Sequence, residues 1–170
     1  MDRIISRFLT GAILIVIFSV FVSMRLPDPV PVGGNVTISM EGKDHVMSDL
    51  PSNESNVKID GSKYQFLLRH SEASSVQVNL NLTDPILLIA GSKTYQIPDS
   101  NNPNILVDLN FFDTKRESSR MNKRIIFRKG TITIESFTKD KLVMKFDGEG
   151  SGMMERDGNF NISGTVNVSF

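Results

Sequence analysis

The chain contains no cysteine and no tryptophan, only two histidines, and no excess of charge of either sign. Without cysteine there is no disulfide framework, no thiol nucleophile, no thiolate metal site and no lipid-modified N-terminal cysteine. With 19 basic against 19 acidic residues, no global field draws nucleic acid or an acidic polymer. His45 and His70 fit no ligand spacing such as His-x-x-x-His. Glu72, two residues beyond His70, reads as its neighbour on one side of a strand and as an ordinary surface pair. No Gly-x-Ser-x-Gly elbow is present. Ser151, within Gly148-Glu149-Gly150-Ser151-Gly152, has the wrong glycine spacing and reads as a loop or strand bulge. A Ser-His-acid triad is a spatial arrangement, on which sequence order alone does not rule. Asp147-Gly148-Glu149 and Asp157-Gly158-Asn159 lack the alternating ligand series of a calcium loop and read as turns. The sequence therefore implies no catalytic residue, no metal and no cofactor.

What is present begins with a long apolar run. Phe8 to Met24 reads FLTGAILIVIFSVFVSM, 17 residues without a charge. As a helix it would be about 26 Å long, near the lower limit for spanning a hydrocarbon core of about 30 Å. Ile4 and Ile5 extend it while Arg7 snorkels. The end of the run, FVSMRLP, has bulky residues where signal cleavage needs small ones. These features favour an uncleaved signal-anchor over a cleaved signal peptide. Arg3 and Arg7 precede the run, which places the short N-terminus in the cytoplasm and the remainder outside. A cysteine-free domain in that location suits a prokaryotic envelope.

Leu26 to Gly34 reads LPDPVPVGG, whose prolines stop the helix and favour an extended stalk. The expected organisation is residues 1–25 as cytoplasmic tip and anchor, 26–34 as a Pro/Gly linker, and 35–170 as an extracytoplasmic β-domain. Beyond the linker the hydrophobic period is two. Val76 to Leu82 alternates with Gln77, Asn79 and Asn81, and Phe160 to Phe170 alternates apolar with Asn, Ser and Thr. Val57–Ile59, Tyr64–Leu68, Ile105–Phe111, Thr131–Ile134 and Leu142–Phe146 are further strands, separated by turn signals such as Asp60-Gly61 and Lys129-Gly130. Nine to eleven short strands predict a mainly β fold, an antiparallel β-sandwich or jelly-roll-like domain after a single N-terminal transmembrane helix. Thr114–Met121 is the best candidate for a short helix, with a solvated loop as its alternative.

One local asymmetry stands out. Lys115, Arg116, Arg120, Lys123, Arg124, Arg128 and Lys129 are seven basic residues within fifteen, opposed only by Glu117. Such a run serves an anionic lipid or polymer, or an acidic protein partner; the plain alternative is a solvated loop and a charged strand edge. It lacks the aromatic interleaving of a nucleic-acid surface. Five Asn-x-Ser/Thr sequons, at Asn35, Asn53, Asn81, Asn161 and Asn167, exceed the roughly two that composition gives by chance. Strands whose polar face alternates Asn with Ser or Thr generate such sequons automatically, so they carry no weight as glycosylation sites.

One helix followed by one β-domain is similar in layout, without a shared motif, to the inner-membrane bitopic component of lipopolysaccharide transport. The expected role is a membrane-anchored binding or structural module of a cell-envelope assembly, not an enzyme. Its partners would be the membrane through residues 8–24 and other envelope proteins or an anionic lipid or polymer. The alternatives are a small outer-membrane β-barrel, favoured by Val166, Val168 and Phe170 at alternate positions, and an envelope hydrolase.

Overall fold

The computed structural model describes residues 33–48, 50, 54–69 and 75–170. The expected anchor, most of the linker, and His70 with Glu72 lie outside the described residues. Among those described, no helix is long and apolar enough to cross a membrane.

The fold is mainly β, an antiparallel sheet curled into a half-barrel. Its strands are β1 (Gly33–Met40), β2 (Lys43–Met47), β3 (Asn56–Asp60), β4 (Lys63–Arg69), β5 (Val76–Thr83), β6 (Lys93–Ile97), β7 (Leu106–Asp113), β8 (Arg124–Phe137), β9 (Lys141–Gly152) and β10 (Phe160–Ser169). They form one sheet in the order β2-β1-β10-β9-β8-β7-β5-β4-β3, with β6 also on β8. The Gly33-Gly34 pair at the end of the expected linker already belongs to β1, where it faces Ser169 and Val168 of β10.

Alternation sets the two faces. Val76, Val78, Leu80 and Leu82 of β5 are buried, as are Leu142, Met144 and Phe146 of β9 and Ile162, Val166 and Val168 of β10. β8 departs from this simple period. Its buried residues are Ile125, Phe127, Ile132, Ile134 and Phe137. Phe127 to Ile132 and Ile134 to Phe137 are odd separations, which in a regular strand would point the pairs to opposite faces. The register shifts at Arg128 and at Glu135, one extra residue each time. Each bulge restores the inward phase and bends the strand.

The bend decides the topology. Before the first bulge β8 pairs with β7, through Arg124 to Ile126; after it β8 pairs with β6, through Gly130 to Ile134. The sheet therefore forks at Arg128, and the β7-β5-β4-β3 half curls over the core. Tyr64 of β4 reaches Phe137 of β8 edge-on at 4.8 Å between ring centroids, and Phe66 meets Phe170 at 5.6 Å.

Two glycines make the fork possible. Gly130 and Gly148 face each other across β8 and β9, and the Phe127 ring lies over both. A Cβ at Gly130, whose φ is +142°, would stand 2.3 Å from the Asp147 carbonyl oxygen and 2.9 Å from the Phe127 ring.

The segment Thr114–Met121 forms turns, not a helix. Its side chains bind outside the segment, Arg116 and Ser118 reaching Glu155, while at its start the Asp113 carboxylate accepts the Lys115 backbone N–H at 2.9 Å. The one described helix, α1 (Leu87–Ala90), is a single turn closed by Gly91 at φ 71°.

Strand register also defines two ends. Gly33, Phe137, Lys141, Ser169 and α1 share one, here the Gly33 end. The turn at Glu41-Gly42 and the loops 114–123 and 153–159 share the other, the Glu41 end.

Gly130→Ala is expected to lower unfolding free energy by about 2–4 kcal/mol, from strain at positive φ and overpacking against Phe127. Urea denaturation of the full chain in detergent, followed by far-ultraviolet circular dichroism, measures it; an unchanged midpoint would contradict the Phe127-on-glycine packing.

Candidate functional site

The seven basic residues of the 115–129 run do gather toward the Glu41 end, but they divide into two kinds. Arg116 is structural. Its guanidinium donates to both carboxylate oxygens of Glu41, at 2.7–3.0 Å, and to Glu155 at 2.8 Å, and lies 5.7 Å from the Phe160 ring centroid. Glu41 and Glu155 hold its pKa above the ordinary arginine value despite burial, and Arg116 in turn holds Glu155 below the ordinary glutamate value. Arg128, the extra residue of the first bulge, donates to Ser151 Oγ at 2.7 Å and to the Gly152 and Met153 carbonyls at 3.3 and 3.1 Å. Lys123 donates to the Thr114 carbonyl. Lys115, Arg120, Arg124 and Lys129 are exposed, and none has an ion-pair partner among the described residues.

Beside these free cations stand three exposed methionines: Met121 at 54%, Met153 at 40% and Met154 at 63%. Backbone bonds fix them together. The Met153 N–H donates to the Arg124 carbonyl at 2.8 Å, and the Met154 N–H to Asn122 Oδ1 at 3.0 Å. Exposed, flexible thioethers on the loops that carry Arg120 and adjoin Arg124 form an adaptable apolar contact. The sequence reading found the charges but not the methionines, which belong to two loops joined only by the fold.

A concave feature lies on a different face. The outer face of β3, β4, β5, β7 and β8 holds a groove of about 490 Å³. Pairing places Asn56, Leu67, Asn79 and Asn110 in one cross-strand row. Lys58, Gln65, Asn81 and Asp108 form the row toward the Gly33 end. Gln77, Phe112 and Arg124 lie toward the Glu41 end. The amides are tied in series. Gln77 Nε2 donates to Asn79 Oδ1 at 2.9 Å, Asn79 Nδ2 to Asn110 Oδ1 at 3.1 Å, and Asn110 Nδ2 to Asp108 Oδ2 at 3.2 Å. Asn81 Nδ2 also approaches Asp108 Oδ2, at 3.4 Å. The available signal was chemical: the polar face of β5 is all amide, Gln77-x-Asn79-x-Asn81, before Thr83.

Ser151, Asp84 and Tyr95 are engaged within the fold. Ser151 is buried within β9 and holds Arg128. Asp84, fully buried, accepts from Lys93 Nζ at 2.7 Å, Tyr95 OH at 2.9 Å and the Ile86 N–H at 3.0 Å. Burial pushes its carboxyl up, but these donors outweigh that and hold its pKa below the ordinary aspartate value. The same burial, with Asp84 beside it, pushes the Tyr95 hydroxyl well above its usual value. Asp84 is thus held ionised, the opposite of a carboxylic acid poised to give a proton. Among the described residues no three His, Asp or Glu side chains converge on a metal position. No family model, curated protein or solved structure matches the chain.

Two outcomes separate structural from free charges. Arg116→Met is expected to cost about 1–2 kcal/mol of stability, while Lys115→Ala and Arg120→Ala change it by less than about 0.5 kcal/mol, read by urea denaturation. For Asp84, whose folded pKa is depressed, the contribution is complete above the unfolded value near 3.8 and is lost as pH falls through the lower folded value. Asp84→Asn should therefore cost about 2–4 kcal/mol at neutral pH, and the gap to the parent should close as pH is lowered from about 5 to about 2. A gap independent of pH would show that the carboxylate's charge is not what anchors this corner.

Proposed function

We propose that the chain is a membrane-anchored, extracytoplasmic binding and structural module of a cell-envelope assembly, whose working surface at the Glu41 end engages an acidic envelope protein. The observation that carries this reading is polarity along the strands. The chain joins the domain at Gly33, while Lys115, Arg120, Met121 and Met154 lie at the opposite end, a strand length of roughly 25 Å away. A domain tethered at one end and presenting cations and thioethers at the other is built to reach from a membrane toward a partner. Methionine accommodates varied apolar side chains, and the cations select acidic surroundings.

The same reading treats the curled sheet as a jelly-roll-like sandwich, its two halves closing on one core where Tyr64 and Phe66 meet Phe137 and Phe170. It is supported over an outer-membrane barrel by the direction of the side chains. Apolar residues turn inward and polar ones outward, the reverse of a lipid-facing strand. Phe170, which prompted the barrel reading, packs on Phe66.

The test is expression of the full chain with a tag after Phe170, fractionation, intact mass, and affinity recovery from detergent. Retention of residues 1–24 and co-recovery of an acidic envelope protein are expected. A Lys115→Glu, Arg120→Glu, Met154→Asp variant should recover at least about tenfold less of it, since each lost contact of this kind is worth on the order of 1 kcal/mol. Cleavage of the segment, or equal recovery by the variant, would overturn the anchor or the surface respectively.

A further inference from the structure

We propose that the amide groove on the outer face of β3, β4, β5 and β7 is a separate binding site, for an uncharged polyhydroxylated chain, a glycan segment. The argument is one of elimination by chemistry. An apolar ligand would strip water from the side chains of Asn56, Gln65, Gln77, Asn79 and Asn81 without replacing their hydrogen bonds, which is unfavourable for each group. An anion would find no paired cations on the floor. Lys58 and Arg124 stand in different rows at opposite corners, and Asp108, at the edge of the groove and bonded to Asn81 and Asn110, is itself negative. A hydroxyl both donates and accepts, as does a carboxamide, so vicinal hydroxyls match neighbouring amides without any net charge on either side.

Preorganisation supports the same ligand. Asn110 is fully buried, and the series from Gln77 through Asn79 and Asn110 to Asp108 holds each amide plane in one orientation. The Gln77 and Asn79 nitrogens, both partly exposed, each use one of two N–H groups within the series, and Gln77 Oε1 and Asn81 Oδ1 lie outside it. Among the described residues the Asn56 and Gln65 side chains have no hydrogen-bond partner, so two complete amides flank the fixed series. Leu67 and Phe112, half-buried between the amides, offer apolar area to the C–H faces that a sugar ring carries alongside its hydroxyls. A volume of about 490 Å³ lies in the ordinary range for a small-ligand cleft. The outward face elsewhere is made differently: on β8 and β9 it carries the exposed Glu135–Lys145 ion pair, at 2.8 Å, as a merely solvated surface does.

The full chain, made in a host without N-glycosylation so that Asn81 stays unmodified, is held in a zwitterionic detergent that carries no sugar. It is titrated with hexasaccharides of β-1,4-glucose, β-1,4-N-acetylglucosamine and α-mannose, and with a sulfated glucose polymer as the anionic counterpart. NMR of the side-chain amide groups reads occupancy and place together. The expected result is saturable shifts of the groove amides by at least one neutral hexasaccharide, with Kd between about 10 μM and about 1 mM. Gln65→Ala with Asn81→Ala should weaken it at least about tenfold, as should Phe112→Ala, at unchanged circular dichroism. Gln65→Ala alone, at an exposed position, keeps the test readable if the others fail to fold. Arg120→Glu should bind as the parent does, which separates this site from the surface at the Glu41 end. No saturable shift by any neutral hexasaccharide up to about 10 mM would overturn the proposal. So would binding of the sulfated polymer alone, abolished by Lys58→Gln with Arg124→Gln but not by Gln65→Ala.

Discussion

The architecture depends on the seam between β8 and β9, where Phe127 lies over two facing glycines next to a bulge. The bulge at Arg128 turns β8, and Gly130 and Gly148 leave room for the ring that fills the inside of that turn. Without the bend, the 14-residue β8 would keep one partner strand along its whole length on the side away from β9. With it, β6 and β7 both pair there, one above the bulge and one below. The β7-β5-β4-β3 half is thereby swung over the core. Bulges bend strands and raise local twist as a general consequence of the extra residue; the glycines relieve the crowding that this bend produces.

Both candidate surfaces follow from that one bend. The extra residue is Arg128, whose side chain turns to Ser151 and the Gly152 and Met153 carbonyls, fixing the start of the 153–159 loop. Arg116 fixes the same loop from the other side through Glu155 and ties it to the Glu41 turn. The loop that begins at Met153 is thus held by two arginines, one bound to carboxylates and one to neutral oxygens. On the far side of the fork, β3, β4, β5 and β7 form their own outward face, and the amides there are spaced by strand pairing alone.

Much of this was legible in the residues, and the failures have physical causes. The strands Val76–Leu82 and Phe160–Phe170 were readable because their period of two is undisturbed. Thr131–Ile134 was recognised as a strand but not as the middle of one running from Arg124 to Phe137, because each bulge reverses the phase and an alternation count stops there. Gly148–Gly152 resembled a loop because glycine is poor in strands; here its lack of a side chain is what the neighbouring backbone and the Phe127 and Ile162 side chains require. Thr114–Met121 had helical composition, but its arginine and serine found tertiary partners that no local rule anticipates. The basic run was legible as charge. That Arg116, Lys123 and Arg128 are engaged, and that Lys115, Arg120, Arg124 and Lys129 are not, is a property of the fold.

The contrast between the two surfaces is one of how polarity is held. At the Glu41 end Arg116 is bound by two carboxylates inside the structure, and exposed cations and thioethers stand on the loops beside that cluster. Such a surface acts at a distance and weakens with salt. In the groove most polar groups are neutral amides, four of them bonded to one another or to Asp108, and effective only at contact. Amide dipoles fixed in series exert little long-range attraction but lose little freedom when a ligand arrives, which favours discrimination by shape and hydrogen-bond pattern over speed of capture. A domain with both would have one face suited to being drawn toward a charged surface and another suited to reading a neutral one.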